Sequence, residues 1–293
     1  PQLTVRDSYD VNKKQYTLTV SQMTPPTADQ AEKQALHIPL DIELYDHKGN
    51  VIPLRSQGQA ISNVLNVVRE EQQFVFDDVP EQPIPSLLRE FSAPVKLDYP
   101  FTDEQLSFLM KYARNAFSRW DAAQALLGRY IKENVARVQK GETCILPEMV
   151  VDAFRAVLLD KDIDPALAAL ILTLPTDVEA GELFSIIDPV AIHQALDFIR
   201  KTLATEMADE FSAVYHSMHI GAYRVNHDDI AKRDLRNVCL AYLAVENEQT
   251  GNQLVDMQYH NSDNMTDALA ALNAAVMAQL PCKDTLLQEF DDK

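Results

Sequence analysis

The side chains able to do chemistry are thinly spread along this 293-residue chain. A zinc hydrolase needs two histidines one helical turn apart with a glutamate between them, H-E-x-x-H, so that both imidazoles face one metal while the carboxylate activates its water. The nearest string is His216-Ser217-Met218-His219, spaced i and i+3 with no acid between. Two histidines with no third ligand and nothing to orient them make a poor metal site, so the pair reads as the polar flank of a long helix. His193, beside Ile192 near a helix start, reads as a packed or capping residue, and His37, His47, His227 and His260 fall on strand ends and loops. Cys239 shares an apolar helical stripe with Leu235, Val238 and Tyr242, where a thiol behaves as a small hydrophobe. Cys144 and Cys282 lie next to loops with no evident histidine partner. The acid pairs Glu70-Glu71, Asp77-Asp78, Asp228-Asp229 and Asp291-Asp292 read as solvated faces, since acid/base work needs two carboxylates in different environments. Trp120 and the tyrosines at helical spacing read as core. No residue is singled out as catalytic, cofactor-binding or metal-ligating.

Composition narrows the function classes further. Lys and Arg number 26 against 44 Asp and Glu, a formal charge of −18, which repels phosphate backbones and argues against nucleic acid or an anionic membrane as partner. Only seven glycines occur, and they stand singly, so neither G-x-G-x-x-G nor G-x-x-x-x-G-K is present. Apolar runs such as Ala166 to Leu172 fall far short of the roughly 18 residues that a bilayer span requires. Three widely spaced cysteines fit neither a disulfide framework nor a zinc ribbon and point to a reducing, cytoplasmic setting. No targeting signal is visible, and the chain opens on Pro1 with Gln2 to Val5 already reading as a strand, as if processed or part of something longer.

The elements that must position any site fall into two halves. Ten of the 15 prolines lie in the first hundred residues, where apolar residues alternate with period two. Tyr16, Leu18 and Val20 share a face, as do Ile38, Leu40, Ile42 and Leu44, with Pro39, Asp41 and Glu43 opposite. Pro39 suggests an edge or a bulge. The turn Asp46 to Asn50 leads to Val51-Ile52, further strands are expected over 64–68, 74–76 and 95–99, and 80–85 reads as a breaker. No helical window separates these strands, so a small antiparallel β-sandwich is expected over 1–99. Over 100–293 the period becomes 3.6. Thr102 and Gln105 form a capping box ahead of Leu106, Leu109, Met110, Ala113 and Phe117. Ser118 is expected to open the next helix, Asp164-Pro165 and Asp188-Pro189 to start two more, and one helix to run from 189 to about 219. Helices over 230–245 and from a cap at Thr266 follow, and the order suggests a solenoid-like α-helical superhelix of helix pairs.

Several strings are specific enough to carry a resemblance. Thr24-Pro25-Pro26-Thr27 with Asp29 to Gln34, Leu36 to Leu40, and Glu43-Leu44-Tyr45-Asp46 resemble the small sandwich domain of the bacterial aminopeptidase N family. The likeness continues through Phe91 to Leu97, Phe117 to Gln124, Asp152 to Leu159 and Asn264 to Leu272, covering essentially the whole chain in order. It implies a four-domain gluzincin exopeptidase in which zinc polarises the scissile carbonyl and activates water, a glutamate acts as base, and an acidic patch holds the substrate's free amino group. The zinc motif, third ligand, G-x-M-E-N loop and transition-state tyrosine of that family have no matching positions here, so no catalytic or metal residue is carried over, and zinc is expected outside this chain.

The resemblance therefore implies the third domain plus the first part of the helical domain, a truncated superhelix. The sandwich would space and dock the catalytic domain, and the helices would wall a chamber that admits peptides. The chain itself is expected to be inactive. The alternative is a stand-alone sandwich-plus-solenoid interaction module with no enzymatic activity. A solenoid cut at its last helix is expected to expose an apolar face, with mobility or a partner near Pro281 to Lys293.

Overall fold

The structure, a computed structural model, describes residues 1–292. The chain divides into two compact units, Pro1–Ala123 and Gln124–Lys293. In the first, alternation of buried and half-exposed residues builds ten strands: β1 (Gln2–Asp10), β2 (Gln15–Met23), β3 (Ile38–Tyr45), β4 (Val51–Ile52), β5 (Arg55–Ser56), β6 (Gln59–Ala60), β7 (Val64–Val67), β8 (Glu71–Phe76), β9 (Ile84–Leu87) and β10 (Lys96–Asp98). One sheet has the order β10-β1-β2-β8, a second has β4-β3-β7 with β9 also on β3, and β5-β6 forms a small ribbon. Leu3, Val5, Tyr16, Leu18 and Val20 of one sheet and Ile38, Leu40, Ile42, Leu44, Leu65 and Val67 of the other join in one buried core. Each such aliphatic side chain contributes about 1.5–3 kcal/mol on burial.

The antiparallel pattern holds with one exception: β10 runs parallel to β1, with Gln2 opposite Lys96. Three local expectations give way for reasons of packing. The segment over 80–85 is only partly a breaker, because Ile84 and Pro85 enter β9 and pair with Tyr45 and Leu44. A 3-10 turn, Arg89–Phe91, interrupts the strands after β9. Glu43 faces away from the core stripe but is 7% exposed, because the Tyr45 hydroxyl donates to its carboxylate and Arg89 Nε lies 3.7 Å from it. Pro39 is in a strand that has neighbours on both sides over its length, yet the stretch Ile38 to Asp41 pairs with β7 alone. The Asp41 N–H there donates to Ser92 Oγ, so the missing proline N–H breaks no ladder on that side.

Helix α1 (Asp103–Tyr112) opens with the expected capping box, Thr102 Oγ1 accepting from Gln105 N–H and Gln105 Oε1 from Thr102 N–H. It stops at Ala113, so Phe117 belongs to α2 (Ala116–Lys140). That helix begins before Ser118, whose N–H donates to the buried Asn115 Oδ1, making Asn115 the capping side chain. Then follow α3 (Glu148–Leu159), α4 (Pro165–Leu172), α5 (Asp177–Gly181), α6 (Pro189–Glu206), α7 (Ala208–Ser217), α8 (His227–Glu246), α9 (Glu248–Asn261), α10 (Met265–Met277) and α11 (Lys283–Asp291). Asp164 and Asp188 cap α4 and α6 as expected. The long helix over 189–219 is instead two, broken at Met207, whose φ of −126° and ψ of 22° leave the helical region. The fully buried Met207 still donates to Leu203 O and accepts from Phe211 N–H, so packing bends the path with no proline or glycine to announce it. α10 is capped by Asn264 rather than Thr266, and α3, α5, α9 and α11 are additional helices. In the stretch from Pro281 onward, α11 buries Leu286 and exposes Leu287; Lys293 lies outside the described residues. Trp120 is half-buried, and Tyr112 and Tyr223 are exposed, so these three are not core.

Candidate functional site, a polar cavity among the helices

The residues with chemical potential scatter rather than converge. His193 is exposed and pairs with Asp177 at 3.0 Å instead of packing. His227 and His260 lie in α8 and α9, not in loops, and contact Asp164 at 2.9 Å and Glu289 at 3.0 Å. His37 meets Asn66 at 2.8 Å. The thiol of Cys239 is fully buried and pushed up to about 12 by desolvation, which makes it inert as a nucleophile. Burial also raises the thiols of Cys144 and Cys282. Of the acid pairs, Asp228-Asp229 departs from a solvated face: Asp229 is buried, and hydrogen bonds from Asn226 and Arg224 hold its carboxyl below the usual range. Among the described residues no three of His, Cys, Asp and Glu are grouped so as to hold a metal ion. His216 and His219 therefore do not fit a zinc centre with any neighbour described.

Those two histidines do share a place. Both lie on the wall of a 640 Å³ cavity formed by the end of α7, the loop after it, and facing parts of α8, α9 and α10. A continuous hydrogen-bonded network lies behind it. Arg236 Nη2 donates to the Tyr215 hydroxyl at 3.1 Å, which donates to Gln258 Oε1 at 3.1 Å. Gln258 Nε2 donates to Asn237 Oδ1 at 2.8 Å and to the Asp267 carbonyl at 3.2 Å. The Asp267 carboxylate accepts from Asn237 Nδ2 and Asn264 Nδ2, both at 3.0 Å. Gln258 and Asp267 are buried, and partnered polar groups of this kind fix the helices in one register.

The cations are held differently. The Arg233 guanidinium lies 4.9 Å from the Tyr223 ring centroid, and that of Arg236 lies 4.7 Å from the Tyr215 ring. Burial raises the Tyr215 phenol, with Arg236 opposing the shift. Hydrogen bonds from Asn264 and from the Tyr223 N–H, with a smaller contribution from the Arg233 charge, lower the Asp263 carboxyl. The wall offers guanidinium donors and committed carboxylates, with no nucleophile set beside a base.

None of these network residues emerges from sequence reasoning. Arg233 and Arg236 are visible only as basic residues at i and i+3, and the partners that define them come from α7, α9 and the loop between α7 and α8.

Comparison with known proteins divides the chain near residue 100, whereas the compact units divide after Ala123. Residues 1–100 match a family described as a domain of unknown function (DUF3458) with an Ig-like fold, and residues 103–293 match its companion (DUF3458_C), described as ARM repeats. The chain is 60% identical over its full length to aminopeptidase N of Escherichia coli K12 and 47% identical to that of Haemophilus influenzae. In both cases it covers 34% of the relative, so it spans about a third of the length of the curated relatives it matches. Among solved structures it is similar to Legionella pneumophila aminopeptidase A in complex with aspartic acid. The TM-score is 0.81 at 25% identity, covering 98% of this chain and 33% of that one.

Proposed function

We propose, because the chain belongs to the DUF3458 family of an Ig-like domain followed by ARM repeats, that it is a non-catalytic portion of a broad-specificity zinc aminopeptidase acting on peptides. The observation that carries this reading is the 60% identity to aminopeptidase N, which runs the whole length of the chain and covers a third of that enzyme. Zinc would supply Lewis-acid polarisation and an activated water from outside these residues. The sandwich would span 1–99 and the first part of the superhelix 100–293. The sandwich would act as spacer and docking element for the catalytic domain, and the helices would wall the substrate chamber. Peptide catabolism in the cytoplasm is the setting proposed. No helix among the described residues is long and apolar enough to cross a membrane, which is compatible with it.

In this reading no residue of the chain is catalytic, metal-ligating or cofactor-binding. The purified chain is expected to hold no stoichiometric zinc by elemental analysis and to release no chromophore from leucine p-nitroanilide above blank. Turnover abolished by a chelator and restored by zinc would overturn the proposal. The stand-alone interaction module is separated from it by the reading frame upstream of Pro1: an H-E-x-x-H there supports the enzyme, and an unrelated domain supports the module.

A further inference from the structure

Two arginines of the cavity, Arg233 buried and Arg236 half-buried, have no carboxylate within ion-pair distance among the described residues. Arg233 is 4% exposed, and its hydrogen bond goes to the Arg224 carbonyl at 3.3 Å. Arg236 gives Nη2 to Tyr215, while its buried Nε finds no acceptor. Neither guanidinium forms an ion pair with a carboxylate among the described residues. The shortage is not one of acids, since the chain has 44 Asp and Glu against 26 Lys and Arg. The carboxylates of the same wall are committed elsewhere. Asp267 is occupied by the amides of Asn237 and Asn264, and Asp263 accepts from the Tyr223 N–H at 2.7 Å and from Asn264 at 3.1 Å. Acids are thus held by neutral amides and arginines by aromatic faces, which leaves guanidinium donors unmatched at a cavity.

A guanidinium cannot shed its charge, and the Arg233 charge reaches Asp263 only at longer range, with no carboxylate hydrogen-bonded to it to offset its burial. We propose that this cavity is a carboxylate-binding subsite, in which Arg233 and Arg236 take the two oxygens of a small organic carboxylate. Three features select that class. The planar fork of arginine matches a carboxylate in two parallel hydrogen bonds. A dianionic phosphate would meet twice the repulsion from Asp263 and Asp267 on the same wall. Ile220, Ala222 and Met257 line the cavity beside the arginines and suit an apolar substituent on the carboxylate. The subsite stands apart from peptide hydrolysis, and its test reads binding to this chain alone.

The probes are N-acetyl-leucine, its amide, free leucine and inorganic phosphate, titrated calorimetrically against the chain. N-acetyl-leucine is expected to bind at least about tenfold more tightly than the amide, since only the acid offers the fork two oxygens. Arg236→Gln is expected to remove that preference, bringing the affinity for the acid down to that for the amide. Arg236→Lys keeps the charge and loses the fork, so it tests the same point in a less perturbed chain and is expected to weaken the acid several-fold. Free leucine binding as well as N-acetyl-leucine assigns the subsite to free amino acids, whereas binding of the acetylated acid alone assigns it to chain ends. Equal affinity for acid and amide, no binding of the acid at millimolar concentration, full affinity in both Arg236 variants, or tighter binding of phosphate would each overturn the inference.

Discussion

Gly251 shows how narrowly a single residue can be constrained without an unusual backbone angle. A β-carbon there would sit 2.7 Å from Ala244 Cα and 2.9 Å from Ala244 O, both backbone atoms, where α8 turns into α9. Alanine's better helix propensity is worth about 1 kcal/mol, while forcing two backbones apart costs roughly 1–3 kcal/mol. Gly251→Ala is therefore expected to lower stability by up to about 2 kcal/mol, measured by urea unfolding, and a stabilising result would show that the turn yields. His260 makes the second prediction at this scale. The Asp256 carbonyl at 2.9 Å is the largest influence raising its imidazole, followed by the charges of Asp256 and Glu289. A histidine raised in the folded state contributes stability that is full below its unfolded value of about 6.5 and is lost as pH climbs through the folded value. His260→Gln should accordingly destabilise the chain at about pH 5.5 and leave it unchanged by about pH 9. The opposite trend would mean that the α9 to α11 contact does not involve the protonated ring.

At the scale of elements, three caps were legible where the kink was not, while Ser118 and Thr266 gave way to Asn115 and Asn264. Thr102, Asp164 and Asp188 act as read from sequence because a cap is satisfied within three residues of itself. Removing the box with Thr102→Ala is expected to cost about 1 kcal/mol, with Thr102→Ser close to neutral, by chemical denaturation. A loss near zero would place α1's stability in its contacts instead, among them the edge-on approach of Phe108 to Tyr45 at 6.0 Å. The break at Met207 and the strand over Ile84 to Leu87 were not legible. In both places the neighbours in space override the local signal: burial of Met207 bends a helix with no breaker, and pairing with β3 makes a strand of a proline-containing segment.

For the whole chain the dominant sequence property is charge. A formal −18 spread over two units creates self-repulsion that the folded state must bear, and salt screens it over about 8–10 Å. The urea midpoint should rise between low and physiological ionic strength. An unchanged or falling midpoint would mean that local ion pairs, such as Arg155 with Asp152 and Glu210, outweigh the net field. The same acidic excess sharpens the cavity, since two arginines without carboxylates are more conspicuous against 44 acids than they would be in a balanced chain.

The sequence by itself determined the class of each half, through period two followed by period 3.6, together with the caps at Thr102, Asp164 and Asp188 and the strings shared with the aminopeptidase N family. These are properties of one chain read over short windows, and short-range physics decides them. The tertiary structure alone decided that Glu43 and Asp229 are buried, that Met207 is a bend, and that Arg233 and Arg236 stand at a cavity beside committed acids. Burial and pairing depend on which residues distant in the chain arrive at the same point, and no local spacing encodes that arrival.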